Sequence, residues 1–324
     1  MRIAALAGGV GASKLLWGLA RVMDPRELTI IVNTGDDIRL HGLHISPDLD
    51  IVTYTLAGAV NAETGWGLSG DTFRALEVLG RYGCPTWFNL GDRDLATHIH
   101  RTAMLASGST LSEAADSIRR GWGVAATILP MSDDFVPTII VTDRGEMHFQ
   151  EYLVQHRAEP EVLDIHFEGI ENALAAPGVL DALEAADGIV LCPSNPLISL
   201  GPILAVAGVR EKLWEVRDRV VAVSPLVAGR SLKGPSDRML VQCGCEASSL
   251  GIAHLYSDIA GTLVIDPADA KLRPAIEALG LRVAVEPSVM HTGEDKERLA
   301  RAVLAQFTVS SAGSAAADAA AGTD

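Results

Sequence analysis

The sequence predicts an α/β fold, a mostly parallel sheet flanked by helices, and three observations predict it. Short apolar runs bounded by Gly, Asn, Ser and Pro alternate with stretches of helical period. Polar, Gly-bearing clusters follow the apolar runs, where the ligand-binding rim of a parallel sheet lies. With 324 residues, 48% hydrophobic and 21% charged, the chain has the make-up of a globular protein with a sizeable core, and disorder as its main state is excluded.

The elements follow in order. Ile3–Ala7 is the first strand, and the next segment places Leu15, Leu16, Leu19 and Val22 on one helical face. Leu28–Val32 is the second strand and ends at Asn33. A helix is expected from Asp71, an N-cap type ahead of Phe73, Leu76 and Leu79. Another carries Leu95 and Ile99, and a third starts at Thr110, where Thr110 and Glu113 have capping-box spacing. In the middle third, strands over Thr138–Thr142 and 147–154 flank the turn Asp143-Arg144-Gly145, so a β-hairpin is inserted there. Alternation then resumes, with strands at 188–192, Val220–Val223, Thr262–Ile265 and Arg282–Val285, and helices over 180–186, 203–214, 272–279 and 295–307. The whole is Rossmann-like. Residues 1–309 are expected to form one α/β domain, and 310–324, an Ala/Ser/Gly-rich stretch without large apolar residues, a disordered tail.

A net charge of −15 without a basic run argues against nucleic acid and against an anionic membrane surface. No apolar run reaches the ~18 residues of a membrane span. The apolar N-terminal strand lacks the features of a secretion signal, and the four cysteines, in neither a CxxC nor a disulfide pattern, read as reduced thiols. A cytoplasmic location is expected.

Four clusters carry candidate chemistry. The run Gly8-Gly9-Val10-Gly11-Ala12-Ser13-Lys14 follows the first strand; its N–H groups suit a phosphate, and a tight turn that needs Gly for steric reasons is the alternative. It is neither GxGxxG nor a Walker loop. After the second strand come Asn33, Thr34, Asp36, Asp37 and His41, then Asp48 and Asp50 about a single residue, hard oxygen ligands of the kind Mg²⁺ takes. Helix capping by Asp48 is the bland alternative. Asn89 leads into Asp92, Arg93, Asp94, Thr97 and His98, where Arg93 suits a phosphate and a surface ion-pair network is the alternative. Finally Ser194-Asn195-Pro196, and Ser224 after the next strand, present polar groups on rigid turns.

The order of Gly8-Gly9-x-Gly11, Asn33-Thr34-x-Asp36-Asp37, Ser46-Pro47-Asp48-Leu49-Asp50, Gly91-Asp92-Arg93-Asp94-x-Ala96-Thr97-His98, Leu129-Pro130-Met131-Ser132-Asp133-Asp134, His148-Phe149-Gln150 and Pro193-Ser194-Asn195-Pro196 resembles that of the 2-phospho-L-lactate transferase family of deazaflavin coenzyme (F-420) biosynthesis, over residues 1–307. The resemblance implies transfer of 2-phospho-L-lactate or phosphoenolpyruvate from a guanosine diphospho donor to the deazaflavin FO, with release of GMP. It implies FO near Asp50 and Asn89, extended here to Asp92, Arg93, Asp94 and Thr97. The donor is expected near Gly8, Gly9, Gly11, Lys14, Asn33, Thr34, Asp36, Asp37, His41, Ser194, Asn195, Pro196 and Ser224. Mg²⁺ held by Asp50 and Asp48 is expected to carry the reaction, and a homodimer is usual in the family. Asp50→Ala is expected to abolish turnover with the fold intact.

Two other readings compete with the transferase. A nucleotide-sugar-binding regulator of the same superfamily shares the Gly-rich turn and the Asp pair, but the stretch from Ile38 to Asp48 and Gly91-Asp92-Arg93-Asp94 favour the transferase. A dinucleotide oxidoreductase requires an acidic residue closing the second strand, where Asn33 stands.

Overall fold

The computed structural model describes residues 1–321, with side chains through 307, so the expected tail over 310–324 lies outside the fully described residues. The chain begins with β1 (Ile3–Ala7), α1 (Gly9–Val22), β2 (Leu28–Val32), the hairpin β3 (Ile38–Leu40) and β4 (Leu43–Ile45), and α2 (Pro47–Leu56). There follow α3 (Arg74–Arg81), α4 (Asp94–Ala106), α5 (Leu111–Gly121), β5 (Thr127–Pro130), β6 (Thr138–Thr142), β7 (Gly145–His148) and β8 (Val162–Phe167). The second half supplies α6 (Val179–Ala185), β9 (Gly188–Leu191), α7 (Leu200–Ala205), α8 (Val209–Glu215), β10 (Val220–Val223), β11 (Leu226–Val227), β12 (Arg230–Ser231), α9 (Ser236–Gln242), α10 (Ser249–Tyr256), β13 (Thr262–Ile265), α11 (Arg273–Glu277), β14 (Arg282–Val285) and α12 (Gly293–Ala321).

Seven strands form the central sheet in the order β14-β13-β10-β9-β1-β2-β5, with every neighbouring pair parallel. Both faces of β1 are buried, which is why it reads as an unbroken apolar run. Ala4 and Leu6 join one core layer, with Ile189, Leu191 and Leu263; Ile3, Ala5 and Ala7 join the other, with Leu15, Leu16, Leu19 and Val303. α1 lies against α12 so closely at Gly18 that a Cβ there would run into the Lys296 carbonyl.

The expected hairpin of the middle third is present: β6 pairs with β7 around the 143–144 turn, and β8 adds a third antiparallel strand on the other side of β6. The second hairpin strand, expected over 147–154, stops at His148. Its Nδ1 accepts the Gln150 N–H, Glu151 accepts the His148 N–H, and these local bonds turn the chain into a short helix at Glu151–Gln155. Phe149 and Tyr152 then pack with Ile140, Ile198 and Met239 instead of lining a strand.

The helix expected over 203–214 is two, α7 and α8, because Gly208 takes a left-handed φ of 85° between them. The helix expected over 272–279 is the short α11, entered from a 3₁₀ turn at Pro267–Leu272. The Thr110–Glu113 capping box is formed. Asp71 does not cap α3: Phe73 holds that position, and the Asp71 carboxylate instead accepts the N–H groups of Arg93 and Asp94 at the start of α4. Asp92 returns the arrangement by accepting from Arg74 and Ala75 at the start of α3. All four cysteines are free, and no helix among the described residues is long and apolar enough to cross a membrane.

Candidate functional site

The strand order reverses between β1 and β9: from β1 the chain winds outward to β2 and β5, and from β9 the other way to β10, β13 and β14. Loops leaving the carboxyl ends of β1 and β9 therefore part, and a cleft opens between them, as open α/β sheets dictate. The cleft holds about 780 Å³ and is bordered by Gly8–Gly11, Asp36, Asp48, Asp50, Asn89, Asp94, His98, Gln150, Pro193–Asn195, Ser224 and Lys233.

The glycine turn is shorter than the sequence suggests. α1 begins at Gly9, so Val10 to Lys14 are already its first turns. The Gly8 N–H donates to Ser194 Oγ (3.2 Å) and the Gly9 N–H to Asp48 Oδ1 (2.8 Å). Val10 and Gly11 border the cleft, and N–H groups in the first turn of a helix have no intrahelical acceptor. Gly11 is required by packing: a Cβ would sit 2.6 Å from the Pro193 carbonyl.

Asp48 and Asp50, on the first turn of α2, point apart. Asp48 serves the glycine turn and does not cap its own helix, whose N-cap is Ser46. Asn33 Nδ2 donates to both Asp48 Oδ2 and Asp36 Oδ1, at 2.9 Å each, tying the end of β2 to α2. Burial pushes both carboxyls up: Asp48 to about 6, and Asp36 well above the carboxylate range with the charge of Asp48 adding to the rise.

Asp50 faces α4. Its Oδ1 takes the buried Arg101 guanidinium, while His98 Nδ1 lies 3.6 Å from its Oδ2 and His98 Nε2 3.4 Å from Asp94 Oδ2. Burial raises the Asp50 carboxyl against the pull of Arg101 and His98. Burial acts the same way on Asp94, but His98, Tyr54 and Arg101 outweigh it and hold that carboxyl low. Tyr54 braces the group, its hydroxyl donating to Asp94 Oδ1 at 2.6 Å and approaching Thr97 Oγ1 at 2.7 Å. Asp50 Oδ2 and His98 Nε2 are buried without a hydrogen-bond partner. Ligand atoms of Asp50, Asp94 and His98 all lie within 4.8 Å of one another. Two carboxylates, an imidazole and two orphaned buried atoms fit a divalent cation. The grouping joins Asp50 to Asp94 and His98, and Asp48 is outside it.

Of the residues singled out in the sequence, Gly8, Gly9, Gly11, Lys14, Asp36, Asp48, Asp50, Asn89, Asp94, Ser194, Asn195 and Ser224 border the cleft. His98 borders it too, and the others stand behind it. Asn33 is the buried tie just described, and Thr34 is buried beside it. Asp37 accepts from His44 Nε2 and Ser46 Oγ, bracing the β3–β4 hairpin. His41 sits at the tip of that hairpin at φ 54°. Asp92 caps α3, Arg93 donates to the Ser69 carbonyl (2.8 Å), Thr97 is buried under Tyr54, and Pro196 shapes the turn without reaching the cleft. Sequence reasoning passed over Arg101, Tyr54 and Lys233, and left His98 without a role. For two of these, His98 and Arg101, a signal existed: with Asp94 they recur at i, i+4 and i+7, one stripe along α4.

The family model described as 2-phospho-L-lactate transferase CofD matches residues 3–304. A 2-phospho-L-lactate transferase of Methanothermobacter thermautotrophicus is 45% identical, covering 94% of this chain and 98% of its own length. A phosphoenolpyruvate transferase of Streptomyces griseus is 44% identical over the same shares. A crystal structure of protein BH3568 from Bacillus halodurans shares the fold with a TM-score of 0.59 at 15% identity, covering 94% of this chain and 99% of that one. The matched span is nearly the whole chain, and this chain belongs to the 2-phospho-L-lactate transferase CofD family.

Proposed function

We propose that the protein transfers a 2-phospho-acid, 2-phospho-L-lactate or phosphoenolpyruvate, from a guanosine diphospho donor to the ribityl hydroxyl of FO, forming a phosphodiester and releasing GMP. The observation that carries this reading is the meeting, in one cleft, of the cation-ready Asp50–Asp94–His98 group with the start of α1 and the Ser194-Asn195 loop. The names of the relatives, transferases of both acids, support it. In-line displacement at phosphorus asks for positioning and charge neutralisation, and no nucleophilic side chain is needed.

Asp50, with Asp94 and His98, would hold Mg²⁺, whose contribution when bound is to neutralise negative charge on the donor. Arg101 keeps Asp50 aimed, and Tyr54 keeps Asp94 aimed. Asp48 and Ser194 fix the glycine turn by taking the Gly8 and Gly9 N–H groups, and the N–H groups of Val10 and Gly11 would serve donor oxygens. Asn89, with Phe88 and Trp66 lining the same cleft, would receive the deazaflavin ring. The test is to incubate purified protein with Mg²⁺, FO and each guanosine donor and to follow GMP and the phosphodiester by mass spectrometry. Formation of GMP only when FO is present is expected. No product from either donor, with tight binding of a nucleotide sugar, would favour the regulator reading.

A further inference from the structure

An acidic chain that takes a diphosphate needs cations to meet it, yet the cleft wall carries Asp36, Asp48, Asp50 and Asp94 against only two lysines, Lys14 and Lys233. Neither lysine pairs with a carboxylate among the described residues. Lys14 Nζ donates to the Met290 carbonyl at 3.2 Å, and Lys233 Nζ to the Thr64 carbonyl at 2.9 Å. The two ammonium groups are close enough that Lys14, after burial, depresses Lys233, so a bound anion would relieve a standing repulsion.

Lys233 also holds a piece of the wall. Residues 61–67 form a protruding loop that closes on itself, with the Asn61 N–H donating to the Gly67 carbonyl and the Gly65 N–H to the Asn61 carbonyl. Ala62, Glu63, Thr64 and Trp66 are exposed. The loop rests on Lys233: a Cβ at Gly65 would lie 3.1 Å from its Nζ and 3.5 Å from Val10, at the start of α1. Positive φ at Gly58, Gly65, Gly67 and Gly70 on this side, and at Gly229 and Gly234 on the other, gives both segments backbone that a side chain would strain. Trp66, Leu232 and Lys233 all face the cleft.

Resting on the transferase reading above, we infer that Lys233 binds the diphosphate of the guanosine donor and, through the Thr64 carbonyl, latches the 61–67 loop over it. Two of the three ammonium protons remain for phosphate oxygens once the carbonyl bond is made. The loop is therefore drawn in by the same cation that the anion fixes, and Trp66 closes the mouth.

The experiment uses the full chain with Mg²⁺ and titrates GDP and guanosine by calorimetry into wild type, Lys233→Met and Lys233→Arg, with hydrogen exchange of residues 61–67 read with and without GDP. Expected is a loss of about tenfold or more in GDP affinity for Lys233→Met, with guanosine affinity unchanged and recovery in Lys233→Arg. GDP should slow exchange of the loop in wild type and not in Lys233→Met. A loss that is equal for GDP and guanosine, or GDP binding by Lys233→Met as tight as by wild type, overturns the assignment while leaving the transferase reading intact. Wild type that binds no GDP at all removes both.

Discussion

Asp50 and Arg101 are 5% and 1% exposed, and each supplies the other's charge. Asp50→Ala would therefore strand a buried guanidinium, a loss on the order of 3–5 kcal/mol, so lost turnover in that variant would mix lost chemistry with lost stability. Asp50→Asn retains an oxygen for Arg101 and isolates the chemistry. It should cut GMP formation by about a hundredfold or more while its urea midpoint stays well above that of Asp50→Ala. Measuring both variants by circular dichroism and by product release checks this; near-wild-type turnover of Asp50→Asn would take Asp50 out of the reaction. At this scale Asp50 was legible because two acidic residues about one position at a helix start are conspicuous. Arg101 was not, since nothing adjacent in sequence shows that a surface-type residue 51 positions away turns inward to meet it.

The paired caps of α3 and α4 belong to the next scale. Asp71 and Asp92 each cap the helix that follows the other, so two short segments on the cleft's flank are fixed as one piece. Gly91 allows the exchange, because a Cβ there would overlap the Asp71 carboxylate. Asp71→Ala should lower stability by about 1 kcal/mol, and Gly91→Ala should do at least as much harm while weakening FO binding through the neighbouring Asn89; fluorescence titration with FO and denaturant melts test both. Single capping motifs local in sequence were readable, as at Thr110 and Glu113. A cap reached across about 20 residues was not, so Asp71 was given to the nearer helix. His41-Gly42 shows the converse. Both residues have positive φ, as a two-residue hairpin turn demands, and only the Gly does so freely. His41→Asn should thus stabilise by about 0.5 kcal/mol and leave donor binding unchanged, a result that would separate His41 from the guanosine site.

For the molecule as a whole, the core alternation along the strands and the parallel class followed from apolar runs, whereas β8 and the breaks in the later helices depended on local turns that periodicity does not register. Acid stability is set in part at His148. Burial keeps its ring below the usual histidine range, while Asp37 and Glu151 pull the other way. Its Nε2 donates to the Asp37 carbonyl and its Nδ1 accepts from Gln150, an arrangement only the neutral ring can make. Because the folded value is depressed, the unfolded chain binds the proton more readily; the contribution is complete above about pH 6.5 and is lost as pH falls below it. Melts of wild type and His148→Gln between pH 5 and 8 should converge toward the acid end. Gly18→Ala, which would force α1 off α12, should lower the melting temperature at every pH.

The reversal of strand order between β1 and β9 has a consequence for how the chain may be divided. Every candidate cation ligand precedes residue 100, and the Ser194-Asn195 loop and Lys233 follow residue 190, so a cut near Gly169 would leave two pieces, neither able to hold a nucleotide. Nucleotide capture by co-expressed halves would then report that they had reassembled edge to edge along β1 and β9, and it would do so without any appended reporter.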